Sequence, residues 1–92
     1  MQTNVKSTRL AATGTVRSVR TRIKGVYVMP SATAGSLTLR DGGAGGSVQM
    51  VIDTPASATE PLYLRLPGEG VLFETDVHAT LSNVTSTTLF FT

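Results

Sequence analysis

Gly35-Ser36-Leu37-Thr38-Leu39-Arg40-Asp41-Gly42-Gly43-Ala44-Gly45-Gly46-Ser47-Val48-Gln49-Met50-Val51-Ile52-Asp53 holds two alternating runs and the turn that joins them. Leu37 and Leu39 alternate with Ser36, Thr38 and Arg40, and Val48, Met50 and Ile52 alternate with Gln49 and Asp53. Successive side chains of a strand point to opposite faces, so each run predicts a strand with one apolar face on a core and one mixed face outward. Between them, the glycines from Gly42 to Gly46 supply positions that tolerate positive φ, as a tight hairpin requires.

The same grammar extends in both directions. Leu62, Leu64 and Leu66 alternate with Tyr63 and Arg65, and the chain is rich in Val, Thr, Leu and Phe, residues that suit a pleated surface. Thr54-Pro55 opens a loop of small residues that ends at Glu60-Pro61, and Pro67-Gly68-Glu69-Gly70 is a compact turn signal. Asn83 divides the run Val77–Ser82 from Val84–Phe91. Short strands at intervals of about 8–12 residues, punctuated by Gly and Pro, predict a sandwich or barrel. No window supports a long amphipathic helix. The expected fold is all-β: a small antiparallel β-sandwich, jelly-roll or Greek-key-like, with an extended basic N-terminal arm.

That arm comes from the charge pattern. The net charge is only +2, but residues 1–40 hold Lys6, Arg9, Arg17, Arg20, Arg22, Lys24 and Arg40 with no acid. Residues 41–92 hold Asp41, Asp53, Glu60, Glu69, Glu74 and Asp76 against Arg65 alone, so the two parts carry +7 and −5. Residues 1–21 read as a basic arm or edge strand and residues 22–92 as the sandwich domain. The 92 residues suffice for one domain, and the chain has no cysteine for a disulfide or thiolate site. The first twenty residues have no continuous apolar core of the secretory kind, and no stretch approaches the roughly 20 apolar residues that span a bilayer. A soluble protein with no membrane partner is expected.

Candidate chemistry is thin. Glu74, Asp76 and His78 would share one face of a straight strand, a carboxylate–carboxylate–imidazole set of metal-ligand type. Same-face neighbours there stand roughly 6.5–7 Å apart, awkward for one tetrahedral centre, and no second His or Cys completes the shell. The solvated face of a strand whose other face presents Phe73, Val77, Ala79 and Leu81 explains the three residues better. His78 is the only imidazole and no Gly-x-Ser-x-Gly elbow occurs, so no catalytic residue is assigned and an enzyme is not expected. Gly42–Gly46 lacks the Gly-Lys-Ser/Thr ending of a phosphate loop, and Asn83-Val84-Thr85 matches the glycosylation sequon without an export signal. No cofactor or metal is assigned.

The basic third is more informative. Arg17, Arg20, Arg22 and Lys24 lie close together, yet no aromatic residue precedes Tyr27 to stack on a base. Nucleic acid is therefore disfavoured as a partner, and Lys6, Arg9, Arg17, Arg20, Arg22 and Lys24 read as a protein-docking arm whose guanidinium forks can pair with carboxylates. Val26, Val28, Leu89 and Phe91 are read as possible contact faces between subunits, since both faces of the terminal strands carry apolar residues.

Four segments carry a family resemblance: Gly35 to Gly43, Val51-Ile52-Asp53-Thr54-Pro55, Leu66 to Phe73 with its Pro67-Gly68-Glu69-Gly70 turn, and Asn83 to Phe91. Together they resemble a group of small virion-associated proteins of tailed bacteriophages, including those that infect cyanobacteria. In that group one strand ends in Arg-Asp-Gly-Gly, another in Asp-Thr-Pro, and a Pro-Gly-x-Gly turn precedes the last strands. The resemblance covers roughly residues 22–92. It implies a capsid decoration (cement) protein that bridges major capsid subunits, made in the host cytoplasm and carried on the virion; the small size of the domain and its sheet edges add the expectation of a homo-oligomer, a dimer or trimer. A tail or head–tail connector component is an alternative within the same particle. A carbohydrate- or receptor-binding β module is an alternative of another class.

Overall fold

The computed structural model describes residues 5–57, 60–66, 68 and 70–92. Nine strands follow one another with no helix among the described residues: β1 (Lys6–Leu10), β2 (Gly14–Arg17), β3 (Thr21–Pro30), β4 (Gly35–Asp41), β5 (Ser47–Thr54), β6 (Leu62–Arg65), β7 (Val71–Phe73), β8 (Val77–Ser82) and β9 (Val84–Phe91). They form two antiparallel sheets, one ordered β1-β9-β3-β6 with β7 also paired to β3, the other β2-β8-β4-β5. Every connection changes sheet except the β4–β5 hairpin and the β6–β7 step. A five-stranded and a four-stranded sheet interleaved in this order make a jelly-roll sandwich.

The core lies between the sheets. Ile23, Val26 and Val28 of β3, Leu37 and Leu39 of β4, Phe73, Val77, Ala79 and Leu89 are fully buried there. Burial removes apolar surface from water at about 25 cal/mol per Å², which is why each of these runs keeps one face apolar. The two most deeply buried hydroxyls, of Thr21 and Thr87, are each satisfied by nearby backbone. Thr87 Oγ1 donates to the Tyr27 carbonyl at 2.9 Å and Thr21 Oγ1 to that of Val19 at 2.7 Å.

Residues 6–17 take the edge-strand alternative. β1 pairs with β9 from Lys6↔Phe91 to Leu10↔Thr87, and β2 pairs with β8. Val16 enters the core and Leu10 packs against it, so the few apolar side chains of this polar stretch are the ones that dock it. Residues 1–4 of the expected arm lie outside the described residues.

One strand departs from simple alternation. Leu39 pairs with Met50 but Arg40 pairs with Val48, leaving Gln49 as the extra residue of a β-bulge. The bulge moves Val48 off the face it would share with Met50 and Ile52, and it stands half-exposed beside Val51 on the solvent side.

At the other end of the sandwich a single residue, Asn83, turns β8 into β9 with φ of 52°, a left-handed conformation that Asn tolerates better than most residues. Its side-chain amide donates to the Ala34 carbonyl at 3.2 Å, and Ser31 Oγ donates to the Asn83 carbonyl at 2.8 Å, stitching this corner to the β3–β4 connection.

Leu37→Ala should lower the unfolding free energy by about 2–5 kcal/mol in a urea titration, whereas Val51→Ala on the outer face should change it by less than about 0.5 kcal/mol.

Candidate binding surfaces

The glycine-rich hairpin is held by two aspartates, its own Asp41 and Asp76 of the β7–β8 connection. Asp41, at the end of β4, accepts the N–H groups of Thr75 and Glu74 at 2.8 Å each and of Asp76 at 3.3 Å. Asp76 returns the contact by accepting from Gly42 at 2.8 Å and Gly43 at 3.0 Å. Gly42 and Gly43 have φ of 108° and 85°, so both amides turn toward one carboxylate as a residue with a Cβ would not readily allow. This reciprocal clasp joins the β4–β5 turn to the β7–β8 connection. It accounts for the Arg-Asp-Gly-Gly segment structurally, with no ligand required.

The clasp also separates the three residues considered as a metal set. Glu74 lies in the bend before β8 and forms an exposed ion pair with Arg20, Nε to Oε1 3.3 Å. Asp76 faces the glycine amides. Only His78 is on the strand, buried opposite Thr15 and Arg40, with Nδ1 lacking a hydrogen-bond partner among the described residues. The straight-strand premise fails because β8 begins at Val77.

The six arm cations are spread over several elements. Lys6 and Arg9 stand exposed on edge strand β1. Arg17 is half-buried at the edge of the other sheet, its guanidinium carbon 4.9 Å from the centre of the Phe91 ring, a cation–π contact that covers one end of the core. Arg20 pairs with Glu74. Arg22 and Lys24 belong to β3, where Arg22 exchanges backbone hydrogen bonds with Thr92 and Lys24 sits at a register shift. Arg20 and Arg22 meet Thr21, Leu72 and Thr92 around a surface cleft of about 200 Å³.

Val26, Val28, Leu89 and Phe91 are not contact faces. All four point between the sheets, three fully buried and Phe91 only 3% exposed. The alternation places their neighbours outside instead. Arg9, Thr88, Tyr27 and Tyr63 are successive register partners across β1, β9, β3 and β6, forming one row on the outer face. In the next row Gly25 is flanked by Phe90 and Arg65. A Cβ at Gly25 would stand 3.0 Å from Tyr63 Oη. The tyrosine therefore lies across β3 and meets Phe90 edge-to-face, with ring centres 6.1 Å apart. The result is an aromatic platform with Arg9 and Arg65 on strands at its two sides and Tyr63 54% exposed. Alternation places Tyr63 and Arg65 outward from sequence alone. That β6 lies beside β3, bringing both tyrosines together, has no local signal.

No protein-family model matches the chain, and comparison with curated proteins and with solved structures finds no match.

The three backbone amides, Thr75 first and then Glu74 and Asp76, hold the Asp41 carboxyl below its ordinary value of 3.8 against the opposing effect of burial. A carboxyl lowered on folding contributes stability above its unfolded pKa, and that contribution is lost as pH falls through the lower, folded value. Asp41→Asn should therefore reduce thermal stability at pH 7, and the gap between variant and parent should narrow as thermal melts are repeated below about pH 4.

Proposed function

We propose that this chain is a structural component of a tailed-phage particle, a capsid decoration protein that binds and bridges major capsid subunits. The observation that carries the reading is the sequence resemblance across residues 35–43, 51–55, 66–73 and 83–91. Two features are compatible with it. Jelly rolls recur in viral capsid proteins, although a fold alone assigns no function. The rim closed by β1 and β2 also displays Lys6 and Arg9 in the open, where they can meet carboxylates on a larger acidic surface. On this reading the chain acts on the virion surface by adhesion between subunits and performs no chemistry.

Quantitative mass spectrometry of purified particles tests it. A copy number comparable to the coat protein is the expected result. A few copies per particle would move the chain to the tail or neck, and absence from particles would overturn the structural role. Because β1 is part of a sheet, charge reversal is a cleaner test of the rim than truncation. Lys6→Glu with Arg9→Glu should weaken binding to undecorated capsids by roughly tenfold or more, with the β circular-dichroism signal retained.

The aromatic platform favours a second reading, a carbohydrate- or receptor-binding module, since jelly rolls also serve as lectin domains. Tyr27, Tyr63 and Phe90 offer ring surface for stacking, and Arg9 and Arg65 offer donors beside it. On a glycan array this reading expects binding that Tyr63→Ala abolishes. A parent protein with no hits would remove it.

A further inference from the structure

We propose that β5 is a self-pairing edge, through which two copies of the chain join antiparallel about a twofold axis and extend the β2-β8-β4-β5 sheet to eight strands. β5 ends its sheet, so one side of its backbone is without a strand partner among the described residues. A strand edge in this state is a ready template for another strand, and proteins usually blunt it with short length, Lys or Pro. The other edges are blunted in this way. β1 has five residues and carries Lys6 and Arg9, β2 has four and carries Arg17, β6 has four and carries Arg65, and β7, which pairs with β3 alone among the described residues, has only three. β5 has eight residues, no Lys, Arg or Pro, and a single charge at Asp53. It also exposes about half of Val48 and half of Val51, both on the outer face because of the Gln49 bulge.

The occupant follows from charge and symmetry. An acidic or basic partner would find little on β5 to recognise, whereas a second copy offers an identical neutral edge. Consider the register in which Val48 faces the partner's Val51. The twofold then passes between residues 49 and 50, and each valine meets a valine on the same face, a cross-strand pair of the kind that stabilises sheets. Asp53 comes opposite the partner's Gly46, which leaves the two Asp53 carboxylates about seven residues, or roughly 23 Å, apart along the strand direction. Both copies carry the same bulge, so the bend it introduces is matched across the axis. Self-pairing of β1 would instead bring Lys6 and Arg9 against their own copies. The inference does not rest on the capsid reading, because it concerns the free protein in solution.

Sedimentation equilibrium of the full chain over a wide concentration range tests the proposal. The parent should rise from monomer toward twice the monomer mass, weakly, with a dissociation constant of about 10 µM to 1 mM for so small an interface. Val51→Lys should remain a monomer at every concentration with its β signature intact, and Val19→Lys, a change at an exposed valine off β5, should dimerise like the parent. If Val51→Lys loses its fold, Val48→Lys reads the same contact. The chain has no cysteine of its own, so a Val48→Cys, Val51→Cys double variant should cross-link into dimers on oxidation. A parent that stays monomeric, a trimer, a dimer that survives both lysine variants, or a dimer without cross-linking would each overturn the β5 pairing. None of these results depends on whether the chain is found in particles.

Discussion

Pairing between β3 and β9 is the contact on which both the core and the outer surfaces depend. It runs from Ile23↔Phe91 to Pro30↔Val84 and joins parts of the chain some sixty residues apart. On its inner side Ile23, Val26, Val28 and Leu89 supply the apolar surface against which the second sheet packs. On its outer side the same register sets Tyr27 beside Thr88 and Gly25 beside Phe90. Since the side-chain period of a strand is two, a slip of one residue would exchange these faces, exposing the core valines and burying Tyr27. The inner and outer surfaces are therefore specified by one register.

Much of this is local and was legible. The hairpin from Gly35 to Thr54, the inward faces of Leu37, Leu39, Leu62 and Leu64, and the break at Asn83 all follow from periodicity and turn chemistry. What was not legible is long-range or depends on a single inserted residue. Val48 reads as a core position until the Gln49 bulge shifts the alternation. Val26, Val28, Leu89 and Phe91 read as contact candidates because apolar residues occupy both faces of their strands, and only the pairing shows which set is inside. The aromatic platform needs β6 beside β3, an adjacency with no counterpart in local sequence.

The charge split has a similar resolution. An excess of cations early and of acids late suggested an arm seeking an acidic surface. Among the described residues, only Arg20 and Glu74 form an ion pair across that divide, and it is exposed, so it contributes little to stability. Two acids instead face backbone: Asp41 and Asp76 bind amides and fasten the hairpin to the β7–β8 connection. Among the described residues the β1 cations Lys6 and Arg9 stand exposed without an ion-pair partner, a surface property that charge counting alone could not localise.

The interleaved strand order bears on how the protein comes to exist in the cell. Among the described residues β1 has its only strand partner in β9, and β2 has its only strand partner in β8. A nascent chain can form the β4–β5 hairpin early, but neither sheet can close until the last two strands have left the ribosome. Topologies dominated by distant pairings also fold slowly, on the millisecond-to-second scale. Newly made copies therefore pass through an interval in which β3 and β4 present bare apolar faces. High-level synthesis would be expected to place this chain in direct competition between folding and aggregation.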